Sequence, residues 1–419
     1  MESIEISPGF RRALSLIEEG SSVFITGKAG TGKSTLLGHF RDTTRKKIAV
    51  LAPTGVAAVN VAGQTIHSFF RFPPRILNPA DIKLRSGRIF KQLEALVIDE
   101  VSMVSANLMD AIDAALRKAR HSRELFGGVQ LILFGDLYQL PPIVPMTEKR
   151  YGSPYFFSSE AIRRLPLQIV ELTKVYRQKD HQFISFLDAV RKGAVDNAHM
   201  DMINARVTEQ IPEGSIMLTT TNASAHARNQ AELRKLPGPE ASYEAELDGN
   251  ISPSDLPVDF VLQLKKGSRV MFLKNDPGKR WYNGTLGTVA DLGKDWVDVK
   301  TDDGIATVGK ETWEKIHYQY DAKEDRITAA VTGKLLQIPL RLAWAVTIHK
   351  SQSQTLDNVY LDFSPGVWEY GQAYVALSRC RTLEGISLGH KLYASHIKTD
   401  PRIRQFMARQ SGLTEFWGE

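Results

Sequence analysis

Short apolar runs alternate with helical stretches from Ser22 to about Pro166. The runs are bounded by glycine or polar turns and occupy residues 23–25, 48–51, 96–98 and 129–133. Apolar runs this short, separated by helical segments, are typical of buried parallel strands. The pattern therefore predicts an α/β domain with a parallel sheet in the first part of the chain.

A second set of apolar runs follows at residues 168–170, 216–218, 342–344, 359–361 and 386–388. Residues 236–257 are rich in proline, glycine and acids, which predicts a connecting loop. Residues 267–338 alternate Val, Tyr, Trp and Thr with turns such as Asn283-Gly284, which predicts a small antiparallel barrel. We expect two α/β sheets in tandem, with the barrel inserted in the second.

Composition narrows the class of protein. Of 419 residues, 42% are hydrophobic and 24% charged, the balance of a soluble globular protein with two or more domains. No apolar stretch is long enough to span a membrane, the first 20 residues lack a signal pattern, and Cys380 is the only cysteine. We therefore expect a reducing, cytoplasmic setting without disulfides or a cysteine-based zinc cluster. The net charge of +6 favours a polyanionic partner.

Residues 27–34 (GKAGTGKS) fit the pattern G-x-x-x-x-G-K-[ST] between an apolar strand and a predicted helix. Glycines let backbone N–H groups turn toward phosphate oxygens, and the helix N-terminus favours negative charge. Lys33 is predicted to meet the β- and γ-phosphates, and Ser34 to hold Mg²⁺. The predicted ATP contacts are Gly27, Gly30, Thr31, Gly32, Lys33, Ser34 and Thr35. A glycine-rich turn without a ligand is the alternative, which the complete match disfavours.

Two acidic residues follow the apolar run at 95–98. A carboxylate at the end of a buried strand can hold Mg²⁺, and we assign this role to Asp99. Glu100 is placed to orient and polarise the attacking water. An acidic strand end that faces solvent is the alternative. Gln139 is a candidate sensor of the γ-phosphate, although a loop glutamine without a task is equally common. Together these residues favour ATP hydrolysis over structural nucleotide binding.

Further motifs occur in the order found in superfamily 1 helicases, which the chain resembles. They are residues 52–58 (APTGVAA), 63–69 (GQTIHSF), 97–103 (VIDEVSM), 135–142 (GDLYQLPP), 175–178 (VYRQ), 347–355 (TIHKSQSQT) and 375–381 (VALSRCR). Residues 108–132 are similar to the signature of the petite-integration-frequency (PIF) helicases, a subgroup that translocates 5′ to 3′. The resemblance spans roughly Ile6 to Leu388.

The resemblance implies two RecA-like P-loop domains with parallel sheets, and an SH3-like β-barrel inserted in the second. The implied boundaries are 1–166 for the first domain, with a wedge insertion at about 68–90, 167–260 and 335–410 for the second, 261–334 for the barrel and 411–419 for a tail. Two positions depart from the family pattern. Phe10 stands where a glutamine usually contacts adenine, and Ser353 stands where motif V usually has glycine.

The first part of the chain has no evident arginine finger. Arg177 and Arg379 lie in the predicted second domain. The resemblance implies that ATP binds in a cleft between the domains, where closure brings both arginines to the γ-phosphate. An ordinary surface ion pair is the alternative for each arginine. The predicted catalytic residues are Lys33, Glu100, Gln139, Arg177 and Arg379.

Single-strand channels combine hydroxyl, amide and basic contacts to phosphates with stacking rings. The residues that the resemblance implies for such contacts are Thr54, His67, Thr347, His349 and Lys350. Phe72, in an apolar segment with Phe69 and Phe70, is predicted to belong to a wedge that parts the duplex, with core packing as the alternative. The barrel has a basic edge, interleaved with Trp281 and Tyr282, which fits either a nucleic-acid surface or solvated charges around a structural tryptophan. The basic residues of this edge are Arg269, Lys274, Lys279 and Arg280.

The sequence therefore predicts a DNA helicase that uses ATP and Mg²⁺ to move 5′ to 3′ along single-stranded DNA. Duplex, forked and G-quadruplex DNA are the expected substrates, and we expect a monomeric, bacterial-type, nucleoid-associated protein. Two alternatives stay open, a single-strand translocase that unwinds poorly and a motor subunit like the RecD component of a recombination nuclease complex. A module that uses ATP only as a switch is disfavoured by Glu100 and the two distant arginines.

Overall fold

The structure is a computed structural model that describes residues 6–83, 87–145, 150–178, 180–251, 257–352, 354–364 and 366–410. Ser353 and the tail at 411–419, both singled out in the sequence, lie outside these ranges. The chain forms two compact units. The first comprises the described parts of 1–176, 316–331 and 399–419, and the second those of 177–315 and 332–398.

The first unit is built on a parallel sheet. Its helices are α1 (Pro8–Glu18), α2 (Lys33–Thr43), α3 (Gly55–Asn60), α4 (Ile66–Phe70), α5 (Arg88–Gln92), α6 (Ala106–Arg120) and α7 (Glu160–Arg164). Its strands are β1 (Ser22–Gly27), β2 (Ile48–Ala52), β3 (Gln64–Thr65), β4 (Ala95–Ile98), β5 (Gln130–Phe134) and β6 (Leu167–Leu172). In the described residues they lie in the order β3-β2-β4-β5-β1-β6 with parallel neighbours throughout. This confirms the α/β sheet expected for the first part of the chain.

The central strands β1, β4 and β5 are buried along their whole length. Successive side chains of a strand point to opposite faces, so burial of every residue requires that both faces be covered. Helices α1 and α2 contribute Phe10, Ile17, Leu36 and Phe40 to the core formed with this sheet. These strands are continuous apolar runs in the sequence because both faces of the sheet are covered.

The run at 168–170 lies in β6, which pairs with β1 from Ser22↔Leu167 to Gly27↔Leu172. The prediction that it belongs to the second sheet, and that the first domain ends at Pro166, is therefore wrong at this point. An apolar run specifies a strand but not its partner. The alternation of buried and exposed residues in β6 fits its place at the edge of the first sheet.

The second unit contains a second parallel sheet and a set of antiparallel strands. Its helices are α8 (His181–Lys192), α9 (Asn197–Asn204), α10 (Asn222–Lys235) and α11 (Gln372–Leu377). Its strands begin with β7 (Ile216–Thr219), β8 (Ala241–Glu244), β9 (Glu246–Gly249), β10 (Val261–Leu264), β11 (Arg269–Phe272), β12 (Leu286–Leu292), β13 (Trp296–Thr301) and β14 (Gly304–Gly309). They continue with β15 (Glu311–Asp321) and β16 (Arg326–Gln337), which both extend into the first unit, and with β17 (Leu340–Leu342), β18 (Ala345–Thr347), β19 (Val359–Asp362) and β20 (Ile386–Leu388). A last helix, α12 (Pro401–Gln410), belongs to the first unit.

The parallel sheet of the second unit has the order β18-β7-β19-β20 in the described residues. The antiparallel sheet has the order β14-β13-β12-β11-β17 and encloses an apolar cluster that includes Phe272, Trp281 and Val299. The run at 342–344, predicted as a strand of the second parallel sheet, does not belong to that sheet. Leu342 ends β17, which pairs with β11, and the parallel strand β18 begins only at Ala345.

Two segments belong to the first unit although the predicted boundaries put them elsewhere. Residues 316–331, which comprise the end of β15, the following turn and the start of β16, were expected in the barrel, and α12 was expected in the second domain. Their side chains explain the grouping, because Tyr318 packs against Phe69 and Phe406 packs against Phe157. Across the described residues, no helix is long and apolar enough to cross a membrane.

Candidate nucleotide and nucleic-acid sites

The phosphate loop connects β1 to α2 in the first unit. Gly32 is the N-cap of α2 with φ 85°, and Gly30 has φ 78°. A Cβ on Gly27 would lie 2.6 Å from the carbonyl oxygen of Leu172, so this close approach of two backbones requires glycine. The first N–H groups of α2 have no acceptor inside the helix, which makes the loop an anion site.

The ammonium of Lys33 lies over this loop. Its Nζ donates hydrogen bonds to the carbonyl oxygens of Gly27 at 2.8 Å and Lys28 at 3.0 Å. The hydroxyl of Thr31 also donates to the Lys28 carbonyl, at 2.9 Å. Ser34 and Thr35 follow in the first turn of α2. The loop therefore presents a cation, hydroxyl groups and helical N–H groups at one place, as the predicted ATP contacts require.

The acidic pair follows β4 at the same edge of the sheet. Asp99 is buried, and burial raises its pKa to about 7, with a further contribution from the charge of Glu100 and an opposing one from nearby Lys33. Glu100 has φ 48°, a conformation that costs a non-glycine residue about 1 kcal/mol. Strain of this kind is characteristic of functional sites. Within the described residues, no group of three or more His, Cys, Asp or Glu side chains could hold a metal ion by itself.

Gln139 follows β5 and is buried. Its backbone N–H donates to the Asp136 carbonyl at 3.0 Å, and its side-chain amide lies 3.5 Å from the Asp136 carboxylate. Because β1, β4 and β5 are parallel neighbours, their carboxyl ends share one edge of the sheet. The structure therefore brings Lys33, Asp99, Glu100 and Gln139 to the same edge.

Phe10 occupies the position where a glutamine was noted as usual. It is 2% exposed in α1, and a Cβ on Gly32 would lie 3.1 Å from its ring. Phe10, Ala13 and Ile17 are the buried residues of α1, at the spacing of one helix face. Phe10 therefore supports the phosphate loop by apolar packing.

The two arginines converge in the second unit on the end of α11. Arg379 is fully buried, with Nε donating to the Val375 carbonyl and Nη2 to the Ser378 hydroxyl, both at 2.9 Å. Arg177 donates to the Ser378 carbonyl at 3.2 Å, and burial lowers its pKa. These side chains are held by backbone carbonyls, unlike the exposed ion pairs that were the alternative. Their role in hydrolysis stays a prediction.

The predicted strand contacts of the first unit lie on short helices after β2 and β3. Thr54 is the N-cap of α3, and its hydroxyl accepts a hydrogen bond from the Ala57 N–H at 3.2 Å. His67 lies half-buried in α4, and burial lowers its pKa, which favours the neutral ring. A neutral imidazole can still donate one hydrogen bond to a phosphate oxygen.

Phe72 is buried in a stack of aromatic rings. It lies parallel to Phe70 with centroids 5.2 Å apart, and Phe70 stacks in turn on Phe90 at 5.6 Å. Phe69 meets Phe70 edge to face and contacts Tyr318 as well. This packing corresponds to the core alternative for Phe72, so its ring shapes the segment from inside and is not on the surface.

The predicted strand contacts of the second unit follow β18. Thr347 is buried at the end of the strand, and its hydroxyl accepts a hydrogen bond from the Lys350 N–H at 3.2 Å. His349 Nε2 lies 3.2 Å from the carboxylate of Glu369. Lys350 is exposed, and its pKa is lowered, first by partial burial of the ammonium and then by the charge of Arg341. The three residues thus share one turn at the carboxyl edge of the second sheet.

Two of the four basic residues at the edge of the barrel, Lys274 and Arg280, are paired with acids. Arg280 forms two hydrogen bonds with the Asp276 carboxylate, at 2.7 and 2.9 Å, and lies over the Trp281 ring. Trp281 itself is buried and stacks on Phe272. Lys274 pairs with Glu311 at 3.0 Å. Of the two alternatives for this edge, the structural tryptophan with solvated charges fits these contacts.

Two residues with notable contacts carry no signal in the sequence. Tyr318 lies in β15, where its N–H donates to Gln64 Oε1 at 3.1 Å and its hydroxyl accepts from the Val50 N–H at 3.3 Å. Arg341 lies beside Lys350 in the second unit. No local pattern marks either residue, because both act through contacts with segments distant in sequence.

A phosphate loop, a buried strand-end aspartate and an adjacent glutamate at one edge of a parallel sheet define a P-loop nucleoside triphosphatase. The second parallel sheet and the antiparallel strands inserted in it are features beyond a minimal enzyme of this class. They identify a more specific group within it.

The model of the PIF1-like helicase family matches residues 11–201. A Pif1 helicase of Bdellovibrio bacteriovorus is 34% identical over 99% of this chain and 94% of its own length. The mouse helicase PIF1 is 36% identical over 94% of this chain, which spans 61% of that longer protein. The chain belongs to the PIF1-like helicase family.

Solved structures of a Bacteroides Pif1 share the fold over the whole length. The complex with ADP-AlF4 has a TM-score of 0.91 at 33% identity, with 100% of both chains covered. The same protein bound to single-stranded DNA has a TM-score of 0.71 at 34% identity, again with 100% of both chains covered. These neighbours confirm the predicted fold class.

Proposed function

We propose that the chain is an ATP-dependent DNA helicase that translocates 5′ to 3′ on single-stranded DNA and unwinds duplex or forked DNA. The observation that carries this proposal is the site formed by Lys33, Asp99 and Glu100 in a chain of the PIF1-like helicase family. Relatives named ATP-dependent DNA helicase Pif1, and a Bacteroides Pif1 bound to single-stranded DNA, support it. The 5′-to-3′ direction and the use of G-quadruplex substrates rest on family resemblance.

ATP fits the phosphate loop because the loop offers an ammonium and helix N–H groups to its phosphates. The solved relative with ADP-AlF4 supports this choice of ligand. Glu100 stands where a carboxylate can accept a proton from the attacking water. The Lys33 ammonium compensates charge on the β- and γ-phosphates as the bond to the leaving group lengthens.

Mg²⁺ fits the same site. The hydroxyl of Ser34 and the carboxylate of Asp99 are the hard oxygen donors that this ion prefers. Burial next to Glu100 makes ionisation of Asp99 unfavourable, and a divalent cation would reverse that effect. When bound, the ion supplies compensation for the charge of the phosphates.

Steady-state ATP hydrolysis with and without single-stranded DNA tests the proposal. We expect DNA to stimulate the wild type, and Glu100→Gln to lower kcat by about a hundredfold or more because the substitution removes the base. Glu213→Gln, at an exposed carboxylate of the second unit, is the matched control. Hydrolysis that is indifferent to DNA would contradict the motor function and favour the partner-dependent, RecD-like subunit.

Direction and unwinding need a separate experiment. Duplexes with a single-stranded tail at either the 5′ or the 3′ end should be unwound only from the 5′ tail. Efficient unwinding from the 3′ tail would reverse the proposed polarity. Stimulated hydrolysis without unwinding of forked DNA would indicate a translocase in place of a helicase.

A further inference from the structure

A cavity of about 510 Å³ lies in the second unit, between α10, β10, β17 and β18. This volume is in the range of small-molecule sites and suits a group the size of a nucleotide. Its polar lining includes Asn222, Asp259, Gln263, Arg341, Thr347 and Lys350. Thr347 and Lys350 are predicted strand contacts, so the cavity continues the surface on which the proposed function places DNA.

The charges in the cavity favour an anion. Arg341 and Lys350 supply two positive charges against the single carboxylate of Asp259. Each cation has a lowered pKa, that of Arg341 through burial and that of Lys350 through burial and repulsion by Arg341. A lowered pKa means that the charged forms of both side chains are unfavourable in the protein alone. A bound anion would offset both the hydration lost on burial and the repulsion between the two cations.

One hydrogen bond holds the guanidinium of Arg341 in place and leaves its other donors available. Its Nη2 donates to the Pro257 carbonyl at 3.1 Å, and its remaining N–H groups have no acceptor within the described ranges. Lys350 likewise has no ion pair there. A guanidinium held at one corner can offer its other donors as a fork to two phosphate oxygens.

Helix α10 adds to the positive potential. Asn222 is its first residue and lines the cavity, so the positive end of the helix dipole faces this region. The helix is tied to β18 by two hydrogen bonds between the Asn229 amide and Ala345, at 2.8 and 2.9 Å.

We infer that this cavity holds one backbone phosphate of the nucleic-acid strand together with its nucleotide, and that Arg341 binds that phosphate. The inference rests on the proposed function and assigns a binding residue that the motifs do not contain. Inorganic phosphate and a free mononucleotide share the same chemistry, so the experiment must separate them from the strand.

The test measures binding of a fluorescent oligo-dT to the full chain by anisotropy across a salt series. Loss of one phosphate contact lowers the slope of log K against log salt by about 0.7 for single strands. We expect this change for Arg341→Gln, with affinity about fivefold weaker at 0.1 M salt and converging on the wild type toward 1 M. Arg234→Gln, at an exposed arginine of the same helix α10, should retain the wild-type slope.

Arg341→Lys shows whether the effect of Arg341→Gln comes from loss of the charge or from misfolding. It keeps the charge but not the fork, so its salt slope should stay near the wild type while its affinity falls. An unchanged slope for Arg341→Gln, with the wild type binding normally, would overturn this inference alone. A wild type that does not bind the oligonucleotide would overturn the proposed function as well.

Competition with inorganic phosphate and with dTMP, at constant ionic strength, identifies the source of the phosphate. We expect both to displace the strand only weakly, because each offers one contact of the many that a strand makes. A cavity that takes inorganic phosphate in the wild type but not in Arg341→Gln, while both proteins bind the strand equally, would be a free-anion site, contrary to the inference.

Discussion

At the scale of single residues, Phe10 connects helix packing to the nucleotide site. Its ring is buried in α1 and lies against Gly32, the residue that starts the helix of the phosphate loop. A glutamine here would place an amide among apolar neighbours, where an unpaired polar group is unfavourable. The phenylalanine that replaces the usual glutamine at this position therefore stabilises the packing of α1 against the phosphate loop.

We predict that Phe10→Gln lowers the free energy of unfolding by about 3 kcal/mol, through lost apolar burial and a poorly paired amide. Phe10→Leu, which stays apolar, should lower it by only about 1 kcal/mol. Urea denaturation followed by far-ultraviolet circular dichroism, which reports the helices of the first unit, measures both values. Equal stability of wild type and Phe10→Gln would mean that the amide finds a partner near Gly32.

The residues proposed for the nucleotide site follow the clearest local patterns in the chain. Lys33, Asp99 and Glu100 stand at fixed distances from short apolar strands, and the chemistry of phosphate binding restricts which residues can stand there. The pKa of Asp99, by contrast, depends on burial and on Lys33, which comes from a different strand end. Arg341 was missed for the same reason, since its neighbours come from three separate segments.

At the scale of elements, the end of β15 completes the edge of β2. The pairing of β3 with β2 begins at Leu51, which leaves the Val50 N–H to the hydroxyl of Tyr318 at 3.3 Å. Gln64 in β3 accepts from the Tyr318 N–H and donates to the Ser68 hydroxyl. The side chain of Tyr318, which is distant in sequence, thus supplies the hydrogen-bond acceptor that a neighbouring strand would otherwise provide.

We predict that Tyr318→Phe lowers the free energy of unfolding by about 1 to 3 kcal/mol, because it leaves the buried Val50 N–H without an acceptor. Hydrogen exchange should show faster exchange at the Val50 amide than in the wild type. Tyr320→Phe, on the same hairpin but with its hydroxyl at the surface beside Asp325, should leave that amide protected. Unchanged exchange in Tyr318→Phe would show that another group satisfies Val50.

Helix α12 returns to the first unit and packs by aromatic contacts. Phe406 stacks on Phe157 with centroids 4.5 Å apart and also contacts Phe24 and Phe156. Arg402 binds the Gly152 carbonyl at 2.8 Å and pairs with buried Asp400. The helix is therefore part of the core of this unit.

We predict that Phe406→Ala lowers the free energy of unfolding by about 2 kcal/mol, less than for a fully buried ring because Phe406 is partly exposed. Hydrogen exchange along α12 should rise by a corresponding factor of about thirty. The control is Arg404→Ala, at an exposed position of the same helix. A melting temperature that is equal in Phe406→Ala and Arg404→Ala would contradict the core role.

The strands and helices themselves were predicted better than the elements against which they pair or pack. The apolar runs identified the parallel strands, and the alternating residues with Asn-Gly turns identified the antiparallel ones. The run at 168–170 was assigned to the wrong sheet, because pairing with β1 depends on long-range geometry that a local pattern does not contain. Helix α12 and residues 316–331 were assigned to the wrong domains for the same reason, since each packs against the first unit and not beside its neighbours in sequence.

At the scale of the whole molecule, nucleotide binding is coupled to folding of the first unit. The phosphate loop, the acidic pair and Gln139 all belong to that unit, so a ligand that binds them stabilises only its folded form. At a ligand concentration of 100 times Kd, the stabilisation is about 2.7 kcal/mol. For a unit of roughly 200 residues, this raises Tm by roughly 5–10 °C.

We predict that ADP with Mg²⁺ produces such a rise in differential scanning fluorimetry, and that EDTA abolishes it. The proposed roles of Ser34 and Asp99 imply contact with the phosphates only through the ion, because the charge of Asp99 alone would repel them. Lys33→Ala should remove the rise, and Lys300→Ala, at an exposed lysine of β13, should retain it. If the rise persisted in EDTA, nucleotide binding would not need the metal, and Asp99 would have to stay protonated near Lys33 to tolerate the phosphates.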